Sequence, residues 1–170
     1  MKKEKIKNGD LLYHPVHGLC RVERVLPPSS PGTGPSYSLV PKIAAKMKSR
    51  FVIAATDLEV SGFHNLISRQ EANKILLYLS KKRAEAAPGF QAQAWTLAQT
   101  ILTFAHEKFE AKDQRKRQAL ERSAKGLVGE LSCVLNLTLQ KTAERLQKSL
   151  GRPPQVNPSV LSALALAGED

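Results

Sequence analysis

Aromatic side chains are scarce in this 170-residue sequence: one Trp, three Tyr and five Phe amount to 5 % of it. A core must therefore come from Leu, Val, Ile and Ala, and hydrophobic residues, at 42 %, are numerous enough to supply one. Cysteine is almost missing. Cys20 and Cys133 are the only two, too few for a disulfide framework or a four-ligand zinc site, and they fit a reducing compartment. Long apolar runs are missing as well, so no stretch reads as a bilayer span. The charged start MKKEKIKNGD has no apolar region behind it and does not read as a signal peptide. A cytoplasmic protein is the expectation.

Acidic residues are the last shortage. Asp and Glu number 15 against 26 Lys and Arg, for a formal net charge of +11. A chain this basic usually meets something acidic: nucleic acid, an anionic membrane or an acidic protein surface. The excess is spread along the chain, with about two cations per acid on both sides of residue 60. This differs from a neutral domain carrying a basic tail. Nucleotide and hydrolase signatures are absent too: there is no Gly-x-Gly-x-x-Gly, no Walker loop and no Gly-x-Ser-x-Gly. The expectation is a non-enzymatic protein with no cofactor, no metal and no small-molecule substrate.

What is present divides at Ser61-Gly62. Before it, DLLYH (10–14), LCRVERVL (19–26), YSLVPKI (37–43), RFVIAA (50–55) and DLEVSG (57–62) read as five short strands. A Pro-x-x-Gly turn at 15–18 and the Pro- and Gly-rich loop PPSSPGTGPS (27–36) separate the first three. Five short strands in about sixty residues imply a strongly bent sheet or small barrel. After the divide the apolar period is helical. ISRQEANKILLYLSKKRAEA (67–86) begins at Ser68, with Glu71 completing a capping box, and carries an apolar stripe of Ile75, Leu76 and Leu79. Trp95, Ala98, Leu102, Ala105 and Phe109 mark a second helix. Asp113 caps a third, with its stripe at Leu120, Ala124, Leu127, Leu131 and Leu135, and Thr138 opens a fourth that Gly151-Arg-Pro-Pro stops. The fold class is α+β: a β-module at 1–64, an all-helical domain at 65–150, and a Pro/Ala-rich tail at 151–170 expected to be disordered.

The residues that invite chemistry are few. His14-x-x-His17 has no matching Cys, Asp or Glu at ligand spacing, so a strand entering a polar turn explains it better than a metal site. Trp95, in phase with Ala98 and Leu102, reads as core. The basic clusters KMKSR (46–50), SKKR (80–83) and KDQRKR (112–117) remain. Each alone reads first as a solvated face. SKKR stands beside Tyr78 and Leu79, and cations beside an apolar tip suit a protein that holds phosphates while pressing on a base pair. Nothing suggests base-edge readout, so DNA contact would follow backbone and shape.

NGDLLYHPVHGLCRVERV resembles the start of the CarD/CdnL family of bacterial transcription regulators, whose N-terminal module also occurs in the transcription-repair coupling factor. Gly9-Asp10, Tyr13, Pro15, His17-Gly18, Val22 and Glu23 match the pattern, with His14 inserted between Tyr and Pro. The likeness continues through YSLVPK, RFVIAATDLEVSGFHNLIS, EANKILLYL and ALERSAKGLVGELSCVLNLTLQKTAERL. It implies a Tudor-like, SH3-like β-barrel that docks on the RNA polymerase β subunit. It also implies a helical domain leaning on promoter DNA at the upstream edge of the bubble, stabilising the open complex without sequence specificity. In the family a Trp at the helical tip wedges into the minor groove. Aligned on SKKR, the wedge position here is Leu79, followed by Ser80, Lys81, Lys82 and Arg83 as backbone contacts. The polymerase-facing Arg falls near Val52, with Arg50 two residues earlier on the same face and Lys48 close by. Such a protein would be cytoplasmic and associated with the nucleoid through polymerase. Two alternatives stand beside it: a polymerase-docking module with little DNA contact, and a free-standing non-specific DNA-binding protein.

Overall fold

The structure is a computed structural model that describes residues 5–42, 49–81, 93–108 and 112–169. It is α+β, with an open five-stranded antiparallel sheet and, among the described residues, five helices. The chain forms two compact units, Met1–Leu66 and Ile67–Asp170. The division falls two residues beyond the expected one.

In the first unit, β1 (Leu11–His14), β2 (Gly18–Leu26), β3 (Ser36–Pro41), β4 (Phe51–Ala54) and β5 (His64–Asn65) lie in the order β4-β3-β2-β1-β5. Alternation sets the inner face. Leu12 pairs with Cys20, Val22 pairs with Leu39, and all four are buried. With Tyr37, Leu58 and Phe63 they form the core of this unit. Between Val22 and Arg24 the register shifts, a bulge that bends β2. Gly18 closes the β1–β2 turn at φ +70°, a conformation that a Cβ disfavours.

The fifth strand is not where the sequence places it. Residues 57–62 form turns, because Ser61 N–H donates to Asp57 O and Gly62 N–H to Glu59 O, leaving those groups unavailable to a ladder. The strand forms instead at His64 and Asn65, which pair with Tyr13 and Leu12. Among the described residues β4 and β5 are the two edges, and no ladder joins them.

The second unit comprises α1 (Arg69–Leu79), α2 (Gln93–His106), α3 (Gln114–Leu135), α4 (Leu139–Leu150) and α5 (Pro158–Glu169). The caps are the expected ones. Ser68 Oγ accepts from Glu71 N–H at 3.1 Å and Glu71 Oε2 accepts from Ser68 N–H at 3.0 Å, the reciprocal capping box. Asp113 and Thr138 accept from the N–H groups of Lys116 and Lys141, each at 3.2 Å. Stripes from all five helices, including Ile75, Leu79, Trp95, Leu102, Leu127, Leu146 and Leu164, meet in one core. Glu130 is fully buried there, and its Oε1 accepts from Ile67 N–H at 3.3 Å, tying α3 to the start of α1.

The tail is the largest correction. Residues 158–169 are a helix, and Val160 and Leu164 are fully buried in the core. Pro158 stands at the first helical position, where its missing N–H costs nothing. Asn157 secures the entry: its N–H donates to Ala105 O at 2.8 Å and its Nδ2 to Glu107 O at 3.2 Å, satisfying carbonyls at the end of α2. A Cβ on Gly168 would sit 2.8 Å from the Ala143 Cβ, so α4 and α5 approach closely.

Candidate functional site

Of the expected DNA-contact residues, Leu79 is wholly inside the helical core and presents nothing to a base pair. It shares a helix face with Ala72, Ile75 and Leu76, and burial of that stripe turns it inward. Ser80 is the C-cap of α1; its N–H reaches Leu77 O and Tyr78 O, and its Oγ donates to Leu77 O at 2.6 Å. Lys81 is exposed, with Nζ 6.0 Å from the centre of the Tyr78 ring. Lys82 and Arg83 lie outside the described residues.

The opposite face of α1 holds what the sequence reading missed. Leu77 is 70 % exposed, and Lys74 and Lys81, three residues before and four after it, are exposed too. On the helix Lys74 and Leu77 share one face, and Lys81 follows just beyond the Ser80 cap. This end of α1 therefore presents an exposed apolar side chain with a cation before it and another after it, the combination that the sequence suggests around Leu79. The signal was available: placing 72, 75, 76 and 79 in one stripe puts 74 and 77 on the other side. Trp95 is 2 % exposed and stacks edge-on against Tyr78 at 5.6 Å, so it is core as expected.

In the β-unit, β4 alternates. Phe51 and Ile53 turn toward the core, while Val52 is 61 % exposed. Arg50 precedes the strand, its side chain largely exposed, and its guanidinium lies 2.9 Å from the Glu23 carboxylate on β2. An ion pair this open contributes about 0–1 kcal/mol and leaves the arginine free to exchange partners. Lys48 lies outside the described residues. Among the described residues β4 pairs with β3 alone, and its other side carries no ladder.

The His14 ring is held on both nitrogens. His14 Nδ1 accepts from Val16 N–H at 3.0 Å and His17 N–H at 3.1 Å, and Nε2 faces Ser61 O at 3.0 Å. The turn occupies Nδ1 and the Ser61 carbonyl takes Nε2, so His14 has no lone pair for a metal. Among the described residues no group of three or more His, Cys, Asp or Glu is placed to hold an ion. Burial, with the neighbouring His17, lowers the His14 pKa below the ordinary 6.5, against the opposing pull of the Ser61 carbonyl. The rings of His14, His17, Phe51 and Phe63 lie in succession: His14 on His17 at 4.5 Å, His17 on Phe51 at 4.4 Å, His14 on Phe63 at 4.7 Å and Phe51 near Phe63 at 5.8 Å. They bring β4 and the residue before β5 together where the backbone ladder is open. Burial pushes the Cys20 thiol up to about 11, which makes it unreactive at neutral pH.

No protein-family model and no curated protein matches the chain. Among the described residues no helix is long and apolar enough to cross a membrane.

Proposed function

We propose that this chain is a non-enzymatic transcription regulator of the CarD/CdnL type. Its β-unit, a Tudor-like module, docks on the RNA polymerase β subunit. Its helical unit touches upstream promoter DNA without reading sequence and stabilises the open complex. The observation that carries the DNA half is exposed Leu77 near the end of α1, with exposed Lys74 one turn before it and exposed Lys81 just past the Ser80 cap. Cations there would hold phosphates while Leu77 presses into the minor groove. The docking half is supported by the outer face of β4, where Arg50 and Val52 are exposed, a shallow surface on which a partner can settle. A few phosphate contacts are weak on their own; an anchor on polymerase raises their effective concentration.

The test uses the full chain and purified polymerase subunits. Capture of β at near-physiological salt, together with a longer-lived open complex, is the expected result. Failure to capture any subunit overturns it. The burial of Leu79 favours a second reading, a docking module that barely uses DNA. That reading expects K74E with K81E to leave open-complex lifetime unchanged, whereas DNA contact through α1 expects it to shorten several-fold.

A further inference from the structure

We propose that His14 is a proton-sensitive lock on the seam between the two edges of the sheet: neutral, it holds the β1–β2 turn and the four-ring stack together, and protonated, it releases them. The lock is a property of the β-unit alone. Its consequence, a polymerase-docking edge that loosens in acid, rests on the function proposed above.

The geometry permits one protonation state. Nδ1 receives two backbone N–H groups, from Val16 and His17, so it carries no proton of its own. The ring proton therefore sits on Nε2 and is donated to Ser61 O. A second proton would have to enter at Nδ1, setting three donors against one another with no acceptor between them. The turn at 15–17 must then open.

The turn carries the stack with it. His17 belongs to the turn, and its ring reaches Phe51 at the start of β4. His14 itself lies on Phe63, the residue before β5. The Ser61 end is held as closely, since a Cβ on Gly62 would lie 3.0 Å from His14 Nε2. Release of one imidazole thus removes the His14–Phe63 and His17–Phe51 contacts and leaves Phe51 near Phe63, at 5.8 Å, to hold β4 toward β5, where among the described residues no ladder hydrogen bonds stand in reserve.

The charged groups around His14 add to the effect. His17, stacked on it at 4.5 Å from the same turn, and His64, from β5, both oppose a positive charge on its ring. The 57–62 segment offers it the Ser61 carbonyl, and β4 meets it through the Phe51 ring on His17. A proton added to His14 meets these opposing neighbours and removes the Nδ1 acceptor, and the two act in the same direction.

The experiment is an NMR titration of the full chain from pH 8 to 5. The expected result has three parts. The His14 nitrogens report an Nε2–H tautomer, its midpoint lies below 6.5, and the Val16 and His17 amides and the Phe51 and Phe63 rings shift along that same curve. His14→Asn serves as the second arm, because an Asn Oδ1 can accept the Val16 and His17 N–H groups without titrating. The variant should keep those two amides protected and abolish the low-pH shift of the Phe rings. A His14 midpoint at or above 6.5, or Phe rings that stay still while His14 titrates, overturns the lock, and so does a variant that retains the transition. Should the variant fail to fold, the wild-type titration decides alone. The docking reading fails separately, by absence of β-subunit capture at pH 7.5.

Discussion

Leu77 and Leu79 sit two residues apart, hence roughly 200° apart around α1. Leu79→Ala is expected to lower stability by about 2–5 kcal/mol, the cost of a core cavity, read as a lower denaturant midpoint. Leu77→Ala should move stability by less than about 0.5 kcal/mol, because its side chain is largely in water, yet shorten the open complex. Equal and large stability losses in both variants would refute the assignment of faces. Glu130→Ala removes the acceptor of Ile67 N–H inside the core and should cost about 1–3 kcal/mol, measured by chemical unfolding. His14 sets a pH dependence whose sign follows from its lowered folded pKa. The folded state favours the neutral ring, so its contribution is full above pH 6.5 and is lost as the pH falls through the lower folded value. Linear adjacency to SKKR made Leu79 look like a tip; the helical period, with Ile75 and Leu76 on its side, was the stronger cue.

Among the elements, the helix starts were legible because capping is local. Ser68, Asp113 and Thr138 each satisfy an N–H three residues on, and no distant contact is needed to recognise them. β1 to β4 were legible for a similar reason, since alternation shows which side faces inward. α5 and β5 were not. PSVLSALALAGE is small and apolar on nearly every side, so no period separates a buried face from an exposed one. Its helix is justified by what it covers, with α4 close enough that Gly168 has no room for a Cβ. Gly168→Ala should therefore force α4 and α5 apart, at a cost of about 1–3 kcal/mol. A thermal melt equal to wild type would show that the contact is looser than described. β5 is two residues long, and its pairing with Tyr13 and Leu12 depends on the turns at 57–62 delivering it to β1.

At the scale of the whole molecule, charge is the dominant property. A net charge of +11 predicts weak, salt-sensitive association with any DNA duplex. The logarithm of the binding constant should fall linearly with the logarithm of salt, by about 0.9 per phosphate neutralised, and K74E with K81E should flatten that slope. An unchanged slope would remove the α1 face from the DNA contact. Composition and hydrophobic period by themselves determined the α+β class, the change of character near residue 62, the basic balance and most helix boundaries, because these depend on local sequence and summed charge. Tertiary structure alone decided that Leu79 is core and Leu77 is not, that the last residues are a packed helix, and that the rings of His14, His17, Phe51 and Phe63 meet across the sheet's open seam. Each of these follows from which surfaces distant segments bury against one another, and that is a property of the packed chain rather than of any window along it.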